Sequence, residues 1–381
     1  MVLYINPIFL DYRIPFYKEL DENIKGGLKV LYSPRRYYGR YETMLQRIQC
    51  ELKDIAIPFW NEWLFYLANR SFKFTDKGRK LTFTFGLLLK LIELNPEKII
   101  VEGFLQWTPL AVLYSFLFRK PIYIAFERTK HTERNTPKWM TMHRQFTDLF
   151  VDGYIVNGSE TKEYLLSIGI KEKKIHIGGM AADGKGLRDS IARMSEEDKI
   201  QLKKIYSRGN GLIYLFSGQI IKRKGIDHLL DVWRIHSSNY PYDTLLILGT
   251  GEWYRMLKEE TSDLTSVKWL GRVDYSEVYK YYSISDVFVM PTIEDNWSLV
   301  VPEAMSCGLP IATSIYNGCY RELIEEGVNG SIFDTYDHSS ILKSLALFHN
   351  ADLSQMGKVS IEKEKPFNIE NSVKRILNIL S

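Results

Sequence analysis

The sequence predicts an α/β protein of two doubly wound lobes facing a central cleft. Three observations predict it. Short β-rich runs alternate with helical runs along the chain, as in a parallel sheet covered on both faces. The alternation lapses once, in the polar stretch 183–208, and then starts afresh. The length of 381 residues suits two domains, and a hydrophobic fraction of 45% supplies a packed core for each.

In the first series, residues 2–5, 28–31, 99–101, 122–125 and 153–156 read as strands. Helices are expected over 14–20 and 87–94, the second ending before Asn95-Pro96. Within the polar stretch, 196–206 reads as a helix. The second series has strands at 212–216, 244–248, 267–270, 287–290 and 310–313, with Gly249-Thr250-Gly251 breaking one strand into the next helix. Residues 369–380 carry apolar side chains at 369, 373, 376, 377 and 380, an amphipathic helix. The expected organisation is an N-terminal lobe (1–185), a linker (186–208), a C-terminal lobe (209–365) and a final helix (366–381) packing back on the first lobe. Such lobes place a ligand crevice at the carboxyl ends of their strands.

The three cysteines, Cys50, Cys307 and Cys319, show no CxxC or metal spacing, which favours a reducing compartment over a disulfide framework. The N-terminus lacks a basic region followed by an apolar stretch, and no apolar run approaches the roughly 20 residues of a membrane helix. A cytoplasmic protein is expected. Residues 1–190 hold 29 Lys and Arg against 21 Asp and Glu, whereas the rest hold 21 against 25. The basic front half points to an anionic partner such as a bilayer face or a diphosphate-bearing molecule. Nucleic acid is not expected, since no nucleic-acid motif accompanies the charge. Aromatics at 59–66, followed by Arg70, Lys73, Lys77, Arg79 and Lys80, fit either an interfacial membrane contact or an amphipathic core helix.

The segment 291–310 carries the sharpest chemistry. A strand ends near Met290, a polar loop follows, Ser298 is placed to cap a helix over 299–307, and Gly308 suits its end. Free N–H groups at that helix start, around Ser298 and Leu299, attract a phosphate. Glu303, inside the helix, has a carboxylate able to accept two hydrogen bonds from a ribose diol. Asp295 lies eight positions earlier on the loop. A second cluster, Phe216 to Asp227, runs a strand into Ser217-Gly218, then into the basic loop Lys222-Arg223-Lys224-Gly225. Gly218 lets backbone approach a ligand closely, and a lysine there neutralises a departing diphosphate.

The Asp295 to Glu303 spacing resembles the E-x7-E signature of glycosyltransferase family 4, retaining enzymes of the two-lobed, Rossmann-like GT-B fold. Lys224-Gly225 resembles the end of that family's G-R-x4-K-G element, with Gln219 where Arg is usual and Lys222 or Arg223 as the compensating cation. Leu246 to Gly251, Gly271-Arg272-Val273, Asn317-Gly318 and Arg321 to Gly330 extend the resemblance over about residues 210–335. The resemblance implies that Glu303 binds the donor ribose and that Asp295 touches the donor sugar. Lys224, Gly218, Gln219, Arg223, Ser298 and Leu299 then surround the diphosphate, with Val273 near the base and Trp297 beside the donor. In the front lobe it implies a His facing the donor sugar: His131, with Glu127 as the alternative. Arg13 replaces part of a Gly-rich loop and is expected on the acceptor side, against an anionic acceptor.

The activity implied is transfer of a sugar from a nucleotide-diphosphate donor to a hydroxyl of a glycan or lipid-linked acceptor in surface polysaccharide synthesis. No cofactor and no metal are expected. The alternatives are a non-catalytic relative that binds nucleotide sugar, which Asp295 and Gln219 would favour, and a sugar-nucleotide epimerase.

Overall fold

A computed structural model describes residues 1–37, 42–66, 80–179 and 181–381. Fifteen strands are present among them. The N-terminal lobe contains β1 (Val2–Ile5), β2 (Leu28–Tyr32), β3 (Ala56–Pro58), β4 (Glu62–Tyr66), β5 (Lys80–Thr84), β6 (Lys98–Glu102), β7 (Ile122–Phe126), β8 (Gly153–Val156) and β9 (Ile175–Ile177). The C-terminal lobe contains β10 (Ile213–Ser217), β11 (Thr244–Leu248), β12 (Val267–Gly271), β13 (Val287–Met290), β14 (Ile311–Ser314) and β15 (Gly330–Phe333). Seven strands form one parallel sheet in the order β3-β2-β1-β6-β7-β8-β9, and six form a second in the order β12-β11-β10-β13-β14-β15. The order reverses direction beside β1 and beside β10. These switch points open a crevice at the carboxyl ends of the strands in each lobe.

The central strands β1, β6, β10, β11 and β13 are buried at nearly every position, as helices on both faces require. In the N-terminal lobe one face packs under helices Ile14–Asn23, Glu42–Glu51 and Ile369–Leu380, and the other under Leu87–Leu94 and Thr108–Phe118. The chain's last helix therefore crosses back. Val373, Ile376 and Leu380 sit in the N-terminal core against helix Ile14–Asn23. Two features differ from the sequence reading. The aromatic segment at 62–66 is not a helix. It is β4, paired antiparallel with β5, because an extended chain here gains the backbone ladder that the strand Lys80–Thr84 completes. Arg70, Lys73, Lys77 and Arg79, expected to supply its basic flank, lie outside the described residues. The short strands β3, β9 and β15 extend the two sheets beyond the ten predicted strands.

Candidate active site

The C-terminal crevice is assembled by close backbone approach of three loops. The chain after β10 must pass over β13, and Gly225 makes this possible. It adopts φ 63°, and a Cβ there would stand 2.1 Å from the Pro291 carbonyl oxygen. Gly249, after β11, does the same against Gly218: its φ is 130°, and a Cβ would lie 1.8 Å from the Gly218 oxygen. The basic turn 222–224 is thereby stitched to the loop after β13. The Arg223 carbonyl accepts from Ile293 N–H (3.0 Å), Glu294 N–H (3.2 Å) and the Thr292 hydroxyl (2.8 Å).

This stitching brings the two sequence clusters together. Lys224 Nζ donates to Asp295 Oδ2 at 2.5 Å, Ser298 Oγ donates to the same oxygen at 2.6 Å, and Arg223 Nη1 stands 3.9 Å from it. Burial alone would raise the Asp295 carboxyl, but the Lys224 ammonium, the Ser298 hydroxyl and Arg223 override it and hold it below the usual carboxylate range. Asp295 is thus an anion in place. Of the three cationic side chains in the turn, Lys224 is buried and Arg223 turns toward Asp295, where it also donates to the Glu294 carbonyl at 3.3 Å. Gln219 and Lys222 are exposed, and Gly218 and Val273 are half-buried.

The helix after the loop begins one residue later than expected, at Val300, and runs to Ser306. Leu299 takes the cap position with no side-chain cap, because the Ser298 hydroxyl is committed to Asp295. Glu303 is 5% exposed. Its two oxygens accept from Tyr275 Oη (3.2 Å) and Tyr282 Oη (3.1 Å). Burial pushes its carboxyl up to about 7 despite those two bonds. Each carboxylate oxygen has two acceptor positions, so a pair of further hydroxyls can be met beside the tyrosines. The tyrosines had no signature in the sequence. Only the fold places residues 28 and 21 positions upstream against Glu303.

Trp297, expected beside the donor, lies at the joint of the lobes. It is 5% exposed, its ring lies 5.5 Å from that of Phe367, and a Cβ on Gly158 of the other lobe would stand 2.7 Å from it. The Trp297 backbone N–H donates to Asp295 Oδ1 at 3.4 Å, which ties the turn to the loop acid.

The front lobe reaches the same place from above. His131 Nε2 lies 2.9 Å from the Ile293 carbonyl, which can only accept, so Nε2 carries the proton and Nδ1 is the nitrogen left for a ligand. The His131 ring packs 4.8 Å from Tyr316, and Arg134 pairs with Glu294 at 3.0 Å, so this loop spans the cleft.

Arg13 corrects an expectation. It was to meet an anionic acceptor, but it is 6% exposed and enclosed by Glu127 (3.1 Å) and Glu102 (3.7 Å), with Tyr4 Oη on Glu102 at 2.9 Å. Glu102 closes the cluster from the carboxyl end of the central parallel strand β6, and that position is its only signal in the sequence. Burial, then the Glu102 charge, push the Glu127 carboxyl up to about 8. The floor of the front crevice thus sets the Arg13 cation between two carboxyl groups, leaving no excess positive charge to draw an anion.

Two doubly wound lobes facing one cleft, with paired acids and cations below and a histidine loop above, define the two-lobed GT-B class of glycosyltransferase folds. Solved structures agree. Anabaena HepE in complex with UDP superposes with a TM-score of 0.76 over 100% of this chain and 99% of that one, at 13% identity. The lipopolysaccharide outer core galactosyltransferase WaaB superposes at 0.70 over 100% and 98%, at 14% identity. At such identity the likeness shows the fold.

Residues 197–359 match the family described as "Glycosyl transferases group 1". The match lies almost wholly within the C-terminal lobe and spans less than half of the chain. An uncharacterized glycosyltransferase of Haemophilus influenzae is 31% identical over 168 residues, 43% of this chain and 47% of the relative. The alpha-monoglucosyldiacylglycerol synthase of Acholeplasma laidlawii is 27% identical over 143 residues, 37% of this chain and 36% of the relative. The chain thus aligns with less than half the length of these curated relatives.

Proposed function

We propose that the protein is a retaining glycosyltransferase that moves a sugar from a nucleotide diphosphate to a hydroxyl of a glycan or lipid-linked acceptor. One observation carries the reading: Lys224, Arg223, Asp295 and Ser298 converge on one corner of the cleft, while Glu303 stands buried one helical turn beyond. Lys224 has three N–H donors and spends one on Asp295, so two remain for a diphosphate. Arg223 adds a fixed charge, and the positive end of the helix Val300–Ser306 lies nearby. A preorganised cation facing a departing phosphate contributes about 3 kcal/mol of transition-state stabilisation. In this reading Glu303 holds the ribose diol, Asp295 and His131 Nδ1 face the donor sugar, and Glu127 with Glu102 accepts from acceptor hydroxyls. The carboxylate floor favours a neutral, hydroxyl-bearing group at that point. Retention follows if the departing phosphate itself takes the acceptor proton, since no second carboxylate is called on to invert the centre.

A lipid-linked acceptor is supported by the outer face of the front lobe. Helix Thr108–Phe118 is apolar all round, and a helix of that kind is normally buried. Here Leu113, Phe116, Leu117 and Phe118, with Trp139, Met142, Phe146 and Leu149 on and just after the neighbouring helix Lys138–Asp148, are 42–72% exposed. Phe116 and Phe146 both pack on Phe150, at 5.7 and 5.3 Å, which joins the two helices into one apolar surface. Arg119, Lys120 and Lys138 edge it, the composition of a site resting on an anionic leaflet. No helix among the described residues is long and apolar enough to cross a membrane. The test is a transfer assay with a panel of UDP-, GDP- and ADP-sugars and a polyprenyl-diphosphate glycan, with the new anomeric configuration read by NMR. An inverted product, or binding of no panel member, would overturn the reading.

A further inference from the structure

At the opposite end of the C-terminal sheet, three side chains from separate elements meet. His236 comes from the last turn of helix Ile226–Asn239, Asp243 from the residue before β11, and His349 from the short turn after helix His338–Leu347. The Nε2 atoms of both histidines lie 2.8 Å from Oδ2 of Asp243, and the three atoms all fall within 4.8 Å of one another. The other carboxylate oxygen is fixed by the Leu212 N–H at 2.8 Å. His236 and Asp243 are each 1% exposed, whereas the His349 side chain is 20% exposed. Both rings pack on aromatic neighbours. His349 lies 3.7 Å from Tyr240 at 7°, and His236 lies 4.9 Å from Tyr240 and from Trp233. The Asp243 carboxylate can only accept, so each Nε2 donates a proton to it that a bound cation would replace, while the Nδ1 of His236 meets no partner.

We propose that His236, Asp243 and His349 bind a transition-metal ion of the zinc class, with water completing the shell on the open His349 side. Two imidazoles and one carboxylate suit Zn²⁺ over Mg²⁺ or Ca²⁺, which take oxygen shells. An ion at about 2.1 Å from each ligand spreads the ligands to roughly 3.4 Å apart, so each Asp–His separation opens by about 0.6 Å. The site is structural. β11 runs from this cluster toward the donor crevice, and five residues of strand separate the two by roughly 16 Å. The ion would tie the end of one helix, the entry to a central strand and the end of a second helix, and it is independent of the sugar-transfer reading.

The experiment uses tag-free full-length protein, stripped with chelator and reloaded with Zn²⁺ or Co²⁺ near neutral pH. Wild type should retain about one equivalent after dialysis, show the visible bands of tetrahedral Co²⁺ and gain about 5 °C or more in Tm with Zn²⁺. His349→Gln, which keeps a hydrogen bond to Asp243 but is a poor ligand, should lose the bands and the metal-dependent Tm gain. Its Tm in chelator should match that of stripped wild type, and its sugar transfer should be unchanged. Absence of bands and of any Tm response in wild type would overturn the site and leave a triad held by protons alone. Bands that survive in His349→Gln would overturn the ligand assignment.

Discussion

Replacing Glu303 with Gln separates a residue kept for binding from one kept for folding. The carboxyl titrates near pH 7 instead of its ordinary 4.5, because burial penalises the charged form. A group raised in this way stabilises the fold fully below the unfolded value and loses that contribution as pH rises through the folded one. At pH 8 the wild type therefore carries an ionised carboxylate at a cost of about 3 kcal/mol, each tenfold step being worth about 1.4 kcal/mol. Gln fills the same volume, offers a carbonyl to one tyrosine hydroxyl and an N–H to the other, and has no charge to hold. Glu303→Gln should raise stability at pH 8 by up to about 3 kcal/mol and change it little at pH 4.5, read by urea denaturation at both values. Binding should move the other way. A ribose diol loses charge-assisted bonds and keeps one neutral acceptor, about 2–4 kcal/mol, or roughly 30- to 1,000-fold in Kd at pH 8 by titration calorimetry with the preferred nucleotide sugar. A variant that is both less stable at pH 8 and unchanged in nucleotide affinity would refute the assignment and leave Glu303 a structural partner of Tyr275 and Tyr282.

Three further outcomes are expected. Lys224→Met strands a buried Asp295 charge and should lower stability by about 3 kcal/mol and transfer by 100-fold or more; adding Asp295→Asn should restore the melting temperature but not turnover. The Glu127 carboxyl, pushed up to about 8, should make wild-type stability fall between pH 5 and pH 8 more steeply than that of Glu127→Gln, and parallel slopes would show that Arg13 already holds Glu127 ionised. Phe116→Ser combined with Leu117→Ser should abolish flotation with phosphatidylglycerol vesicles while leaving the melting temperature unchanged or higher. Retained flotation would exclude this face as the membrane contact.

What the sequence disclosed and what it withheld follow from the range of the forces involved. The ten strands predicted from apolar runs all occur, because burial on both faces of a parallel sheet writes itself into consecutive residues. The corner of Asp295, Lys224 and Arg223 was legible through its resemblance to the E-x7-E and G-R-x4-K-G elements, and the structure shows Gly225 and Gly249 where its loops touch. β4 was misjudged. Its partner β5 begins 14 residues after it ends, and antiparallel pairing depends on that partner, not on local preference. The place of Trp297 at the joint of the lobes and the enclosure of Arg13 by Glu102 and Glu127 were invisible for the same reason: each is decided by a residue from a different strand end or the opposite lobe.

The eight-residue interval from Asp295 to Glu303 acquires a physical meaning from these surroundings. The first acid lies on a loop within reach of two cations and a hydroxyl, so it stays ionised however deeply it is buried. The second lies on a helix, where its neighbours are neutral tyrosine hydroxyls that cannot offset the loss of water, so its charge is costly at neutral pH. Stability alone would favour Gln or Leu at position 303. A carboxylate kept where the fold pays to ionise it is expected where a ligand repays that cost, and a vicinal diol donating two hydrogen bonds to one carboxylate does so without bringing a charge of its own. The loop acid positions a cation for an anionic group, and the helix acid waits for a neutral one. In the proposed function the interval sets two parts of a nucleotide sugar, its diphosphate and its ribose, against chemically opposite sites.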